Sequence, residues 1–242
     1  MLDVSVATLL VLAASVTVGA IVQGSVGLGL GLVAAPVTAL VAPSLMPGLM
    51  LWLAVGLPLV TLLHDRRDVD WGGLAWALPA RVPGTFVGVV VVAWLADRTL
   101  GVVVGVMVLL AVALTIWTIR VPVNRRTLVT AGCVSGVTGT ATSIGGPPLA
   151  LLYQHRPGRQ VRSTLAVYFM VGATLSLVGL GLGGALHLRD LVLAAVLAPF
   201  LVLGFAAAGP VRGRIDVGHT RTAVLAVCAA SAIALLVRSA VG

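Results

Sequence analysis

Apolar residues run through the chain in ten blocks, at 4–22, 28–42, 46–63, 72–95, 99–119, 127–143, 147–154, 163–186, 191–209 and 220–238, with short polar stretches between them. A helix needs about 20 apolar residues to cross the hydrocarbon core of a bilayer. Most blocks approach or reach that length, so the pattern predicts spanning helices. Two fall short, 28–42 and especially 147–154, and each follows a glycine-rich interruption. The first reads Gln23-Gly24-Ser25-Val26-Gly27-Leu28-Gly29-Leu30-Gly31, with Pro36 beyond it. The second reads Thr138-Gly139-Thr140-Ala141-Thr142-Ser143-Ile144-Gly145-Gly146-Pro147-Pro148. In lipid, irregular backbone is tolerated only where protein or a polar cavity satisfies its amides and carbonyls. The short blocks are therefore predicted to be half-helices of re-entrant hairpins that turn at the two breaks.

The block pattern of the first half recurs in the second. Pro79 and Gly84 in the fourth block match Pro199 and Gly204 in the ninth at a single offset. Each half holds five blocks, an odd number, so the second half starts on the opposite side of the membrane from the first. The prediction is an all-α polytopic membrane protein with two inverted repeats of about five hydrophobic segments each and broken or re-entrant helices at the Gly-rich motifs. One membrane transport domain fills 1–242, with repeat one at 1–120 and repeat two at 127–242. Paired Gly/Pro-interrupted segments in the two halves of such a protein mark a transporter's binding site.

Composition fits this class. The 242 residues are 60% hydrophobic and 9% charged, and the mean hydropathy is +1.15. No polar stretch is long enough for a soluble domain. The net charge is +8; all 15 basic residues are Arg and all 7 acidic ones Asp. A basic balance suits nucleic acid, but here the arginines sit in short loops between apolar blocks, which is a topology signal. Nucleic acid is therefore not an expected partner. Arg66, Arg67, Arg120, Arg125, Arg126, Arg156, Arg159, Arg162, Arg212, Arg214 and Arg221 share four loops of one side. Arg98, Arg189 and Arg238 occupy the other side. Positive residues stay inside, which predicts a multi-pass protein of the cytoplasmic (inner) membrane with both termini outside. Met1-Leu2-Asp3 offers no cationic leader, so the first block is expected to be retained as a span.

With these residues in place, the chain resembles the sulfite exporter TauE/SafE family of anion permeases. Gly24-Ser25-Val26-Gly27-Leu28-Gly29 and Gly145-Gly146-Pro147-Pro148 carry the likeness, together with Arg162-Ser163-Thr164, Tyr168-Phe169 and the duplicated Pro-then-Gly span. The likeness covers nearly the whole chain. It implies transport of sulfite, sulfonates or related sulfur-containing organic anions.

Arg81 is the sharpest single candidate for a substrate contact. It lies in Leu78-Pro79-Ala80-Arg81-Val82-Pro83-Gly84, about nine residues into its block, which at the helical rise is on the order of 13 Å from the cytoplasmic end. A charge at that depth is a functional hypothesis by default. Its planar fork suits an oxyanion. The competing reading is an Arg that snorkels to the interface or caps carbonyls freed by Pro79 and Pro83. At the breaks, a half-helix starting after Gly146, with Pro147 in its first turn, would present free N–H groups to an anion. Thr138, Thr140, Thr142 and Ser143 would add hydroxyls from the second half. Gln23 and Ser25, beside Gly24 and Gly27, would add donors from the first. Alternatively the glycines permit close helix packing and the hydroxyls bond back to their own helices. Together with Gly145, these residues are the expected substrate site.

The remaining chemistry-bearing residues suggest less. His64, His155, His187 and His219 fall at block ends in no metal-ligand spacing. Trp52, Trp71, Trp76, Trp94 and Trp117 fall mostly near span ends, as an aromatic belt does. Cys133 and Cys228 lie inside apolar blocks and read as packing residues. Tyr153 and Tyr168 border the second break and read mainly as packing. Asp3, Asp65, Asp68, Asp70, Asp97, Asp190 and Asp216 all read as loop or terminal residues, so no mid-membrane proton-relay acid is expected. No nucleophile–base–acid set or phosphate loop occurs, so neither an enzyme nor a cofactor is expected. The leading function is a secondary transporter moving a small anion, with export favoured. An anion channel and a non-transporting membrane assembly factor are the alternatives. The expected partners are the anion and the lipid bilayer, and a homodimer is compatible with the pattern.

Overall fold

The computed structural model describes residues 4–64, 68–94, 97–116, 121–211 and 217–241, and each apolar block within it is a helix. In chain order these are α1 (Val6–Val26), α2 (Leu30–Val41), α3 (Gly48–His64), α4 (Trp71–Trp94), α5 (Asp97–Ile116), α6 (Arg125–Thr142), α7 (Pro147–Tyr153), α8 (Gly158–Leu182), α9 (Leu188–Val211) and α10 (Val217–Val241). A 3-10 turn at Pro43–Leu45 is the one other regular element among the described residues. Asp65, Arg66, Arg67, Trp117, Arg120, Arg212, Arg214 and Asp216 lie outside them, as do the side chains of His64, Asp97, Arg98, His219 and Arg221. Four helices, α1, α4, α8 and the Leu188–Gly209 part of α9, are long and apolar enough to cross a membrane. Large apolar side chains such as Phe86, Leu182 and Leu203 point outward, as contact with lipid requires. The protein is an all-α polytopic membrane protein.

Local chemistry sets the helix ends around the breaks. Ser5 caps α1 by accepting from the Thr8 amide at 3.1 Å. α1 stops at Gly27, whose φ of 91° is the left-handed conformation that glycine adopts without steric cost. The Gln23 side chain then accepts from the Leu30 amide at 3.0 Å and so caps α2. In the second half, Asn124 and Thr127 form a reciprocal capping box at the start of α6. α6 ends at Ser143, itself left-handed at φ 61°. Pro147 opens α7, where its missing N–H is no loss. Blocks 28–42 and 147–154 are accordingly short helices of 12 and 7 residues.

Packing pairs the halves with each other. α1 lies against α9 as α6 lies against α4, α3 packs on α8, and α5 packs on α10. Exchanging α1–α5 for α6–α10 leaves that scheme unchanged. The loops fall on two faces. Arg159 pairs with Asp68 at 3.3 Å, and the Asp70 amide donates to Thr164 Oγ1 at 3.0 Å, which puts Asp68 and Asp70 with Arg159 and Thr164. On the other face, Arg189 donates to Ser44 at 3.4 Å and Arg238 to the Leu40 carbonyl.

The closest crossing, α4 on α6, is made by small residues, the usual device where lipid supplies no hydrophobic drive. A Cβ built on Gly84 falls on the Cys133 carbonyl, and one on Gly136 falls on the Arg81 carbonyl. Gly84→Ala is therefore expected to destabilise the detergent-solubilised protein, by about 1–3 kcal/mol as overpacking does. Gly56→Ala is the control, because a Cβ there meets nothing within 4 Å. It is expected to leave the melting temperature unchanged or raise it. Equal losses in the two variants would show that the crossing does not limit stability.

Candidate functional site

Arg81 projects from α4 into protein, where it is 3% exposed. Its guanidinium lies over the Tyr168 ring, 4.9 Å from the centroid. Nη1 donates to Ser135 Oγ at 3.3 Å, and Nε has no partner. The described contacts of Arg81 are with Ser135, Tyr168 and the glycines of α6 and α8, with no carboxylate among them. A buried charge without a counter-charge is expensive. This is not a snorkelling arginine. Glycines make room for it: a Cβ on Gly172 falls on the guanidinium, and one on Gly139 comes within 2.7 Å of Nη2.

The polar chain continues from Arg81 to the second break. Ser135 accepts from Arg81 and donates to the Gly145 carbonyl. Gly145 lines a central cavity, and so do Gly146, Ser143 and Ile144. The same cavity is lined from the first break by Gln23, Leu28, Leu30 and Gly31. The two breaks touch: a Cβ on Gly31 would lie 2.9 Å from the Ser143 carbonyl oxygen. α3 contributes Met50 and Ala54 to the wall, and α8 contributes Phe169. About 30 Å³ is open to the centre of a water molecule, room for one or two waters. The cavity is narrow in this structure. A second recess of about 370 Å³ is lined by Ser44, Met46, Pro47, His187, Arg189 and Asp190. Pro47 joins the two spaces, since its carbonyl accepts from Ser143 Oγ at 3.1 Å.

The structure distributes the sequence-predicted residues between wall and scaffold. Gln23, Ser143, Gly145 and Gly146 line the cavity. Gln23 spends its carbonyl oxygen on the Leu30 amide, so the donors left on that side chain are its N–H pair. Gly24 packs against α9, where a Cβ would lie 2.8 Å from that of Ala208. Ser25 donates to the Ile21 carbonyl at 2.8 Å. Gly27 lies against the Arg162 backbone. Thr138 donates to the Val134 carbonyl at 3.1 Å and Thr142 to the Thr138 carbonyl at 2.7 Å. Thr140 faces α8, 2.8 Å from Ser176 Oγ. Pro147 is buried in the first turn of α7. Arg81 reaches the cavity only through Ser135 and Gly145.

Some elements were not singled out from sequence. Ser135 is one of many hydroxyls in α6, and only the fold shows that it bridges Arg81 to the break. Tyr168 does more than pack: its ring face serves the guanidinium, a cation–π contact. Asp190 was expected in a loop. It is instead in the first turn of α9 and 3% exposed, because the helix starts at Leu188, ahead of the apolar block. Asp70 is bonded across helices. Its Oδ1 accepts from the Gly73 amide at 2.9 Å and its Oδ2 from the Tyr153 hydroxyl at 2.7 Å. The Tyr153 hydroxyl is the donor in that bond, because a carboxylate only accepts. Trp76 stacks with Arg125 at 3.9 Å. Cys133 and Cys228 are free thiols on α6 and α10.

Comparison with known proteins agrees with the motifs. The family model described as "Sulfite exporter TauE/SafE" matches residues 11–235, which takes in both breaks and Arg81. No curated relative and no solved structure matches the chain. The chain belongs to the sulfite exporter TauE/SafE family.

Proposed function

We propose that this member of the TauE/SafE family exports a small sulfur-containing oxyanion, sulfite or a sulfonate, through the cavity where its two breaks meet. The observation that carries the reading is that meeting: Gln23–Gly31 and Ser143–Gly146, about 115 residues apart, line one space. Midway binding sites at paired helix breaks are the usual design of inverted-repeat transporters. Arg81 supplies the positive charge, one glycine layer behind the wall, and Ser135 couples it to the Gly145 carbonyl. The amides of Gly145 and Gly146 and the N–H pair of Gln23 supply neutral donors, the Ser143 hydroxyl being held by the Pro47 carbonyl. The cavity has to widen to take such an anion, as alternating access demands.

The two-repeat organisation, 1–120 and 127–242, is supported by the packing scheme that survives exchange of the halves. The arginine excess in the stretches that follow the third and seventh apolar blocks supports placing those stretches in the cytoplasm and both termini outside, in the inner membrane.

Purified protein is expected to show a rise in melting temperature with sulfite or a short sulfonate and a smaller rise with sulfate. Saturation at 100 times Kd corresponds to about 2.7 kcal/mol. Reconstituted protein is expected to move the same anion with saturable kinetics, which separates a transporter from a channel. If sulfite, thiosulfate, sulfate and short sulfonates all leave both stability and flux unchanged, the reading fails.

A further inference from the structure

Two aspartates stand at the same place in the two halves. Asp70 and Asp190 are 120 residues apart, the separation that also relates Pro79 to Pro199 and Gly84 to Gly204. Asp70 immediately precedes α4, and Asp190 lies in the first turn of α9. They are on opposite faces of the molecule. Asp70 sits with the Asp68–Arg159 loops, and Asp190 with the Ser44–Arg189 loops.

Asp70 bonds its helix to two others, and the Asp190 carboxylate abuts the start of a third helix. Asp70 caps α4 through Gly73, but it also accepts from Tyr153 of α7 at 2.7 Å and donates its amide to Thr164 of α8 at 3.0 Å. Asp190 reaches across to the start of α3, where its Oδ2 lies so close to Gly48 that a Cβ there would fall on it. A helix start favours a carboxylate. The Thr164 contact, made by the Asp70 backbone amide, corresponds to the Gly48 contact of Asp190 under exchange of the halves, since α3 is the counterpart of α8, while the Tyr153 bond belongs to the Asp70 side alone. Both partners also wall the central cavity, through Met50 and Ala54 on α3 and Phe169 on α8. In this structure both contacts are made and the cavity between them is narrow. Helix capping alone explains neither the Tyr153 and Thr164 bonds nor the approach to Gly48.

We infer that Asp70 and Asp190 are paired gate residues: release of Asp190 opens the cavity at the α3–α9 mouth, and release of Asp70 opens it at the α4–α8 mouth. Alternation then follows from having one such tie per mouth in repeats that exchange roles. The inference rests on the transport reading for its purpose, but the sidedness of opening needs no substrate.

The test places a single cysteine at Ala54, in a background where Cys133 and Cys228 are alanine. A membrane-impermeant thiol reagent is applied to cells from outside and to inverted vesicles from the cytoplasmic side. Asp190→Asn is expected to raise the labelling rate from one side only, by about tenfold, the effect of losing a buried carboxylate at a helix start. Tyr153→Phe, which removes the donor to Asp70, is expected to raise it by a similar factor from the opposite side only. Gly48→Ala and Thr164→Ala serve as second variants at each mouth and should open the same sides as Asp190→Asn and Tyr153→Phe respectively. Opening on the same side by both sets, or unchanged labelling in well-folded protein, overturns the assignment. Failure of the transport reading would appear separately, as absent saturable flux with the sided labelling intact.

Discussion

Replacing Arg81 by alanine is expected to lower anion transport by two orders of magnitude or more while leaving the protein as stable as before, or more so. A unit charge roughly 7 Å from a bound anion contributes about 2–3 kcal/mol at an effective dielectric of about 20, and each 1.4 kcal/mol is about tenfold in affinity. The stability half of the prediction follows from burial. Arg81 is 3% exposed with its Nε unpartnered and no carboxylate beside it, so removing it relieves a desolvated charge. A purely structural arginine would behave in the opposite way, with a lower melting temperature and near-normal flux in whatever protein folds. Arg81→Lys keeps the charge but loses the fork, and should fall between wild type and alanine. Gly172→Ala offers an independent route, because the added methyl lands on the guanidinium and should impair transport without touching Arg81 itself. Normal transport by Arg81→Ala at normal expression would remove the residue from the site.

How much of this was readable beforehand depends on the length scale of the signal. Ten apolar blocks became ten helices because a spanning segment must satisfy its own backbone, and that demand is written in every residue of the block. The glycine-rich breaks were equally legible, since only a few residue types tolerate a left-handed turn such as Gly27. Even so, Ser143 holds the matching turn in the second half with a side chain. Arg81 announced itself by being charged in an apolar block.

What the sequence could not say was which neighbours each polar group meets. Thr138, Thr142 and Ser25 have the composition of donors, yet they return their hydroxyls to their own helices, an option every helical Ser or Thr has. Gly24 and Gly145 are the same residue in similar motifs, but one packs on α9 and the other lines the cavity. Ser135 and Asp190 acquired their significance from contacts with α4 and α3, across 54 and 142 residues of chain. Side-chain identity fixes what a residue is able to do, and only the packing of helices decides which option is taken.

Anion flux through reconstituted protein is expected to follow the sign of an imposed membrane potential in the absence of any Na⁺ or proton gradient. A potential negative inside favours exit of an anion by about 2.3 kcal/mol per charge per 100 mV, a gradient of about fiftyfold at equilibrium for a monovalent ion. Export therefore needs no coupling ion, whereas concentrative uptake against that field would. A proton-coupled carrier generally holds an acid that meets the substrate at depth. Among the described residues the cavity wall carries none. Asp190, buried though it is, stands in the first turn of α9 at one mouth and off the cavity wall, a place that suits a gate better than a relay. The assay sets the potential with K⁺ and valinomycin in both polarities at equal pH. Reversal of flux with reversal of polarity is the expected result, and Asp190→Asn should preserve that reversal. Flux that ignores the potential but tracks an imposed pH gradient, and loses that dependence in Asp190→Asn, would make Asp190 the coupling group and the protein a proton-linked carrier.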